Sequence, residues 1–217
     1  MDSQRMTIDV VSDTICPWCY VGKRRLERAM AERPDIAFTV RWHPYRLDPT
    51  TPREGVGRMA NLIAKFGDEA RIREMGAAIT EVGQSVGIAF AFDKIAITPA
   101  TMDSHRLILW AAGAGLQDKI VEALFEAYFT QGRNIGHAAV LTEIAAAAGM
   151  TPALVAERLA GDLDCDRIAA EDDYAHRIGI TGVPTFIFAD KFAFSGAQEP
   201  ETFLKLFEKV LNEGNAA

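Results

Sequence analysis

Two cysteines, Cys16 and Cys19, stand where an extended segment gives way to a helical one, and that junction limits the folds open to this 217-residue chain. Thr7-Ile8-Asp9-Val10-Val11-Ser12 is rich in β-branched residues and reads as a short strand. Tyr20 to Glu32 reads as an amphipathic helix with Leu26, Ala29 and Met30 on one face. Between them lies Cys16-Pro17-Trp18-Cys19. Pro17 suits a first helical turn, where its missing N–H costs nothing. A thiol at that helix end meets unpaired backbone N–H groups and the positive end of the helix dipole, which favour thiolate over thiol. One turn on, Cys19 falls within bonding distance of Cys16. Cys16 is then the exposed nucleophile, and Cys19 the thiol that attacks the mixed disulfide and releases the substrate.

The competing chemistry for such a pair is half of a zinc site, which needs a second pair of Cys or His ligands. The one remaining cysteine, Cys165, is flanked by Asp164 and Asp166, and the four histidines are scattered. No metal site is expected, and no bound cofactor, since electrons pass through the dithiol itself.

Apolar residues at 49% and charged residues at 24% are ordinary for a globular protein able to bury a full core. The net charge of −7, from 23 basic and 30 acidic residues, argues against a nucleic-acid or anionic-membrane surface. No apolar run is long enough to span a bilayer. Met1 to Met6 carries no apolar stretch of the kind a secretory leader needs. The expected compartment is the cytoplasm, where a Cys-x-x-Cys is more often catalytic or metal-bound than a permanent staple.

Along the chain, Ile36 to His43 reads as a second strand, parallel to the first because one helix crosses between them. Pro44 to Gly57 reads as a connector. Met59–Phe66 and Glu69–Val86 read as helices split near Gly67-Asp68, and Gly87–Ile97 as extended, with Phe90 and Phe92 alternating. Further helices are expected over Met102–Ala112, Lys119–Thr130, Ala138–Ala148, Thr151–Leu159 (with the Thr151 hydroxyl as cap) and Asp166–Ile178. Thr185–Phe188 and Lys191–Phe194 flank Ala189-Asp190 as a hairpin, and Pro200 opens a last helix through Leu211, with Phe203, Leu206, Phe207 and Val210 on one face. Residues 212–217 should fray. The order is βαβ, a block of helices, then ββα: one sheet interrupted by an insertion.

Gly179 to Thr185 leads into the third strand. Proline is tolerated at a strand's start, and an X-Pro bond is the usual place for a cis peptide. Such a loop beside Cys16 would present the Val183 backbone N–H and C=O to a substrate strand. The loop alone favours an ordinary trans turn, the commoner form of an X-Pro bond.

The pair Cys16/Cys19 within Ser12–Gly22, the loop Gly182-Val183-Pro184-Thr185-Phe186, and the blocks Ser104-His105-Arg106-Leu107, Tyr128–Ile135 and Ser195-Gly196-Ala197-Gln198 together resemble the thioredoxin superfamily. The resemblance is closest to its DsbA-like branch, and within it to the FrnE group of dithiol–disulfide oxidoreductases. It implies an α/β thioredoxin-like fold with an inserted α-helical domain: residues 1–55 and 172–217 form the thioredoxin-like part and 56–171 the insertion. It also implies a cis Pro184 packed against the cysteine pair. The expected site is Cys16 and Cys19 as redox residues, with Pro17, Trp18, Val183 and Pro184 contacting substrate. The expected partner is a protein disulfide or a low-molecular-weight thiol, glutathione among them. Two departures stand out. Thioredoxin and DsbA carry a buried acid six residues before the first cysteine, where this chain has Val10; and Ala100 stands where the subgroup more often has Asn.

Asp13 is the nearest acid to the pair, as a proton-transfer group or as a turn residue bonding the helix start. Trp18 reads either as a contact for apolar substrate or as packing against the insertion. His105 reads as a core histidine, with a proton shuttle as the alternative. Cys165 is expected to be a free thiol disfavoured as thiolate by the flanking acids, Arg133-Asn134 a solvated turn or an anion contact, and Glu171-Asp172-Asp173 a solvated face. Two other functions remain: a glutathione-dependent isomerase or transferase of the kappa or 2-hydroxychromene-2-carboxylate isomerase type, which generally has Ser in place of the first cysteine, and a non-enzymatic chaperone-like module.

Overall fold

A computed structural model of the chain describes residues 4–214. Strand β1 (Gln4–Ser12) runs into α1 (Pro17–Ala31), which crosses back to β2 (Ile36–Pro44). A two-residue strand β3 (Val56–Gly57) opens the helical block: α2 (Arg58–Phe66), α3 (Glu69–Ser85), a two-residue strand β4 (Ile97–Thr98) paired with β3, then α4 (Met102–Ala112), α5 (Gln117–Phe129), α6 (Ala138–Ala148), α7 (Pro152–Ala160) and α8 (Cys165–Arg177). The chain closes with β5 (Thr185–Phe188), β6 (Phe192–Ser195) and α9 (Pro200–Gly214). The sheet order is β2-β1-β5-β6. β1 and β2 are parallel, as one crossover helix requires, while β5 and β6 are antiparallel. This is the thioredoxin-like α/β arrangement read from the sequence. No described helix is long and apolar enough to cross a membrane.

Both faces of β1 are covered, which is why it reads as a nearly continuous apolar run. Ile8 and Val10 point into the larger core with Leu26, Phe186, Phe188, Phe203 and Phe207, while Val11 packs with Tyr45, Ala175 and Ile180 on the opposite face. Val10 is therefore a plain core residue, 1% exposed.

The helical block is joined to α1 through an aromatic stack and an ion network. Tyr20 stacks on Phe125 with ring centroids 5.1 Å apart, and Phe129 and Phe90 extend the contact. Beside it the fully buried Lys23 pairs with Glu27, with Asp118 at 3.2 Å and with Glu122 at 3.1 Å. Burial works against the Lys23 ammonium, but Asp118, Glu27 and Glu122 outweigh it and raise its pKa above the ordinary value.

Local expectations fail where distant partners take over. Gly87–Ile97 is not extended throughout, since Phe92–Lys94 form a 3₁₀ turn. Phe90 and Phe92 stack 4.9 Å apart on one side instead of alternating, drawn together by Phe129. Thr151 makes no side-chain cap; its carbonyl receives the Val155 N–H and Pro152 fixes the first turn. Lys191 belongs to the β5–β6 turn, its N–H bonded to Phe188 O. Asp172 is not on a solvated face. It is 2% exposed and accepts from the Arg46 N–H at 2.8 Å and the Arg46 Nε at 2.9 Å, because α8 packs against the end of β2. Helix α9 includes Asn212–Gly214, expected to fray; residues 215–217 lie outside the described residues.

Candidate functional site

Cys16 is the N-cap residue of α1, with extended backbone (φ −91°, ψ 112°), and Pro17 occupies the first helical turn. No acidic residue lies in that turn, so nothing there opposes a negative charge at the helix end. The helix begins with the Cys19 N–H on Cys16 O at 3.0 Å, while the Cys16 N–H donates to Asp13 O at 3.1 Å. Cys16 and Cys19 are both free thiols.

The Val183–Pro184 peptide is cis and sits against this helix end. The Cys16 Sγ donates to Val183 O at 3.6 Å. Two anchors hold the loop. Thr185 Oγ1 donates to Gly182 O at 2.8 Å, and the Gly196 N–H donates to Pro184 O at 2.7 Å. Gly196 has φ +86°, a conformation that favours glycine, and Arg25 of α1 bonds the next carbonyl, Ala197 O. The Ser195–Gln198 block thus ties the proline loop to α1.

Helix and loop meet most closely at Gly22. A Cβ there would lie 3.0 Å from both Pro184 Cγ and Phe186 Cζ. Gly22→Val is accordingly expected to cost about 1–3 kcal/mol by overpacking, read as a lower urea midpoint at unchanged m-value.

The structure brings the six expected residues, Cys16, Pro17, Trp18, Cys19, Val183 and Pro184, to one place, with one correction. Cys16 is not openly exposed: it is 5% exposed against 1% for Cys19, because its sulfur turns in toward the Val183 carbonyl. The exposed residue of the four is Trp18, at 38%. More than a third of its surface therefore stays open to solvent beside the cysteine pair.

The two thiols are unlike. Burial pushes the Cys19 thiol well above its ordinary pKa, and the neighbouring Cys16 pushes it further. The Ser12 hydroxyl and the Asp13 N–H pull weakly the other way. A proton is thus held on Cys19 while it faces the Cys16 sulfur.

Asp13 does not bond the helix start through its carboxylate. Its Oδ2 accepts the Leu47 N–H at 2.8 Å, and its Oδ1 faces His105 Nε2 at 3.3 Å. Its neighbour Thr14 Oγ1 is 2.8 Å from Ser104 Oγ. The Ser104-His105 block of α4 therefore buttresses the turn that leads to Cys16, a contact across ninety residues that no local signal announces. Arg106, next in sequence, is fully buried. It bonds Asp103 Oδ1, Leu163 O, Arg158 O and Gly161 O, fixing the α7–α8 connection.

The other candidates lie apart. Burial raises the half-buried Cys165 thiol, Arg106 acts in the opposite direction, and Asp103 and Asp162 add to the rise. Arg133 pairs with Glu143, and Asn134 Oδ1 accepts the Gly136 N–H, a turn. Among the described residues no three His, Cys, Asp or Glu side chains are grouped to hold a metal ion.

Over residues 7–208 the sequence matches the DSBA-like thioredoxin domain. The uncharacterized protein YwbO of Bacillus subtilis is 26% identical over 200 residues, covering 91% of this chain and 94% of YwbO. The crystal structure of a probable DsbA oxidoreductase, SCO1869 of Streptomyces coelicolor, superposes with a TM-score of 0.86 at 28% identity, covering 96% of this chain and 91% of SCO1869. The cytosolic disulfide reductase DsbM of Pseudomonas aeruginosa, solved with glutathione, shares the fold at 21% identity, with a TM-score of 0.67, 95% of this chain covered and 99% of DsbM. A cysteine pair at a helix N-terminus, a cis-proline loop against it and a match along almost the whole sequence lead to one assignment: the chain belongs to the DSBA-like thioredoxin domain family.

Proposed function

We propose that the protein is a thiol–disulfide oxidoreductase of the FrnE type working through the Cys16-Pro17-Trp18-Cys19 dithiol. The observation that carries this is the asymmetry of the pair. Cys16 caps a helix with no acid in its first turn and lies against a backbone carbonyl, whereas Cys19 is buried and holds its proton. The Cys16 thiolate attacks a substrate disulfide, forming Cys16–S–S–R and expelling the other half as a thiolate. The Cys19 thiolate then attacks Cys16 Sγ, the Cys16–S–R bond breaks, and R–S⁻ departs. Two electrons have passed to the substrate and the protein holds a Cys16–Cys19 disulfide; the reverse sequence oxidises a dithiol.

Residues 56–171, as an inserted helical domain on the thioredoxin-like part formed by 1–55 and 172–217, form one side of the cleft. Val183 offers its main chain to an extended peptide, Pro184 fixes that edge, and Trp18 adds an apolar contact. Partners are protein disulfides or small thiols. Glutathione fits the second class, in keeping with its presence in the structure of DsbM, and the cytoplasm fits a reductase of that kind.

Alkylation tests the reading. In reduced protein near neutral pH, iodoacetamide should modify Cys16 faster than an unstructured peptide thiol. Cys19 should resist until the pH rises above 9.0, the ordinary thiol value beyond which its ionisation is displaced. Glutathione disulfide should convert the reduced pair to an intramolecular disulfide. Sluggish Cys16 together with no ring formation would discard the proposal.

A further inference from the structure

Resolution of the mixed disulfide requires Cys19 to lose its proton. The groups that act on its thiol are the Cys16 sulfur, the Ser12 hydroxyl and the Asp13 N–H, none of them a carboxylate or imidazole. The β1 side chain beneath is Val10, and the acid next to it, Asp9, is spent on Arg41 and His43.

A small cavity begins at Ser12. It measures about 20 Å³ and is bordered by Ser12, Thr14, Trp42 and His105, among others. That volume admits one water, which needs two to four polar partners. The partners are there. His105 Nε2 and Trp42 Nε1 are buried and make no hydrogen bond among the described residues. His105 is 3% exposed and Trp42 5%. Asp13 Oδ1 is also unpaired; it is 3.3 Å from His105 Nε2 but not aligned with it for a hydrogen bond. The imidazole thus has a carboxylate beside it and shares a cavity with Ser12, whose hydroxyl acts on the Cys19 thiol.

We propose that His105 receives the Cys19 proton through the Ser12 hydroxyl and one water held in this cavity, with Asp13 stabilising the imidazolium. This rests on the oxidoreductase reading above. The balance is simple. The Cys19 S–H bond breaks, Ser12 takes that proton and passes its own to the water, and the water passes one to His105 Nε2. The freed electron pair on Cys19 forms the bond to Cys16 Sγ, and the departing thiolate leaves with the pair of the broken bond. His105 touches no reacting atom and is a positioning residue for the proton. The titratable groups that face it are Asp13 from the β1–α1 turn, His43 from β2 and Glu171 from α8. On its own helix, Asp103 and Arg106 are paired with each other. Tyr45 and Tyr128 lie within electrostatic reach of Asp13.

The test separates the two chemical steps. Reduced protein is mixed with glutathione disulfide, quenched with acid at intervals, and weighed to follow formation and decay of the Cys16–glutathione adduct. In His105→Gln, adduct formation should stay within about twofold of wild type, while decay slows about tenfold or more at pH 7, the low end of what general acid–base assistance supplies. The gap should close as the pH rises and Cys19 ionises unaided. Decay at the wild-type rate at pH 7 overturns the proposal, as does an equal slowing of both steps at every pH, the mark of a structural role. Ser12→Ala breaks the same relay at another link. Should His105→Gln fail to fold, slow, pH-rescued decay in Ser12→Ala supports the proposal and wild-type decay overturns it. A wild-type protein that forms no adduct at Cys16 overturns the oxidoreductase reading and this inference with it.

Discussion

Cys16→Ser is expected to bring the dithiothreitol-driven reduction of insulin down to the rate measured without protein, and Cys19→Ser to do nearly the same by a different route. Without Cys16 no mixed disulfide forms. Without Cys19 it forms and persists, because the residue positioned to break it is gone. The distinguishing readout is the adduct. Cys19→Ser should accumulate a protein–substrate disulfide visible on a non-reducing gel, and Cys16→Ser should show none. Cys165→Ser controls for the third thiol, which lies away from the cis-proline loop and which burial holds in the thiol form; it should leave the rate unchanged. Robust insulin reduction by Cys16→Ser would remove the chemistry from this site altogether.

Arg106→Ala is expected to be the most destabilising single change outside the aromatic core, at about 3–5 kcal/mol, the cost of breaking a buried ion pair from one side. The guanidinium is 0% exposed. It gives Asp103 its closer ionic partner, at 2.6 Å against 3.5 Å for Arg53, and three main-chain carbonyls their donors, all within 2.7–2.8 Å, and it lies 5.0 Å from the Trp110 ring centroid. Its loss leaves Asp103 with only the longer contact to Arg53 and strands three acceptors in the interior. For a chain of this length the melting temperature should fall by on the order of 10 °C, followed by circular dichroism. Arg106→Lys should recover little, since an ammonium cannot reach the same acceptors with a planar fork. A melting point within a degree or two of wild type would refute the assignment of Arg106 as a clamp.

These two expectations mark how far the sequence could be read. The Cys16/Cys19 pair and its helix were legible because the signals are local: β-branched residues, then Pro17 in a first turn, then apolar positions at helical spacing. The parallel pairing of β1 and β2 followed from one intervening helix. The cis geometry at Pro184 came through resemblance, since the loop by itself favours the commoner trans form. What stayed hidden depends on partners far along the chain. Lys23 belongs to a helix face that charge alone would assign to solvent, and only Asp118 and Glu122 on α5 explain its burial. Asp172 sits in a run of three acids and is buried by Arg46 from a different element. Ser104, His105 and Arg106 read as a block without a task, because the groups they serve, Thr14, Asp13 and the α7–α8 carbonyls, are some fifty to ninety residues away. Even the modest exposure of Cys16 is set by Val183, not by its own neighbours.

The stack of Tyr20 on Phe125 and Phe129 bears on how the chain can open. A ring that leaves α1 at its first turn is keyed into the middle of the helical block, and a close-packed aromatic joint of this kind opposes sliding. On the function proposed above, the helical block and the cysteine-bearing helix then stay together as a client docks. Passage to the Cys16 sulfur falls to side chains at the rim, Trp18 foremost, and a bulky folded client offers its disulfide on a protruding, yielding segment.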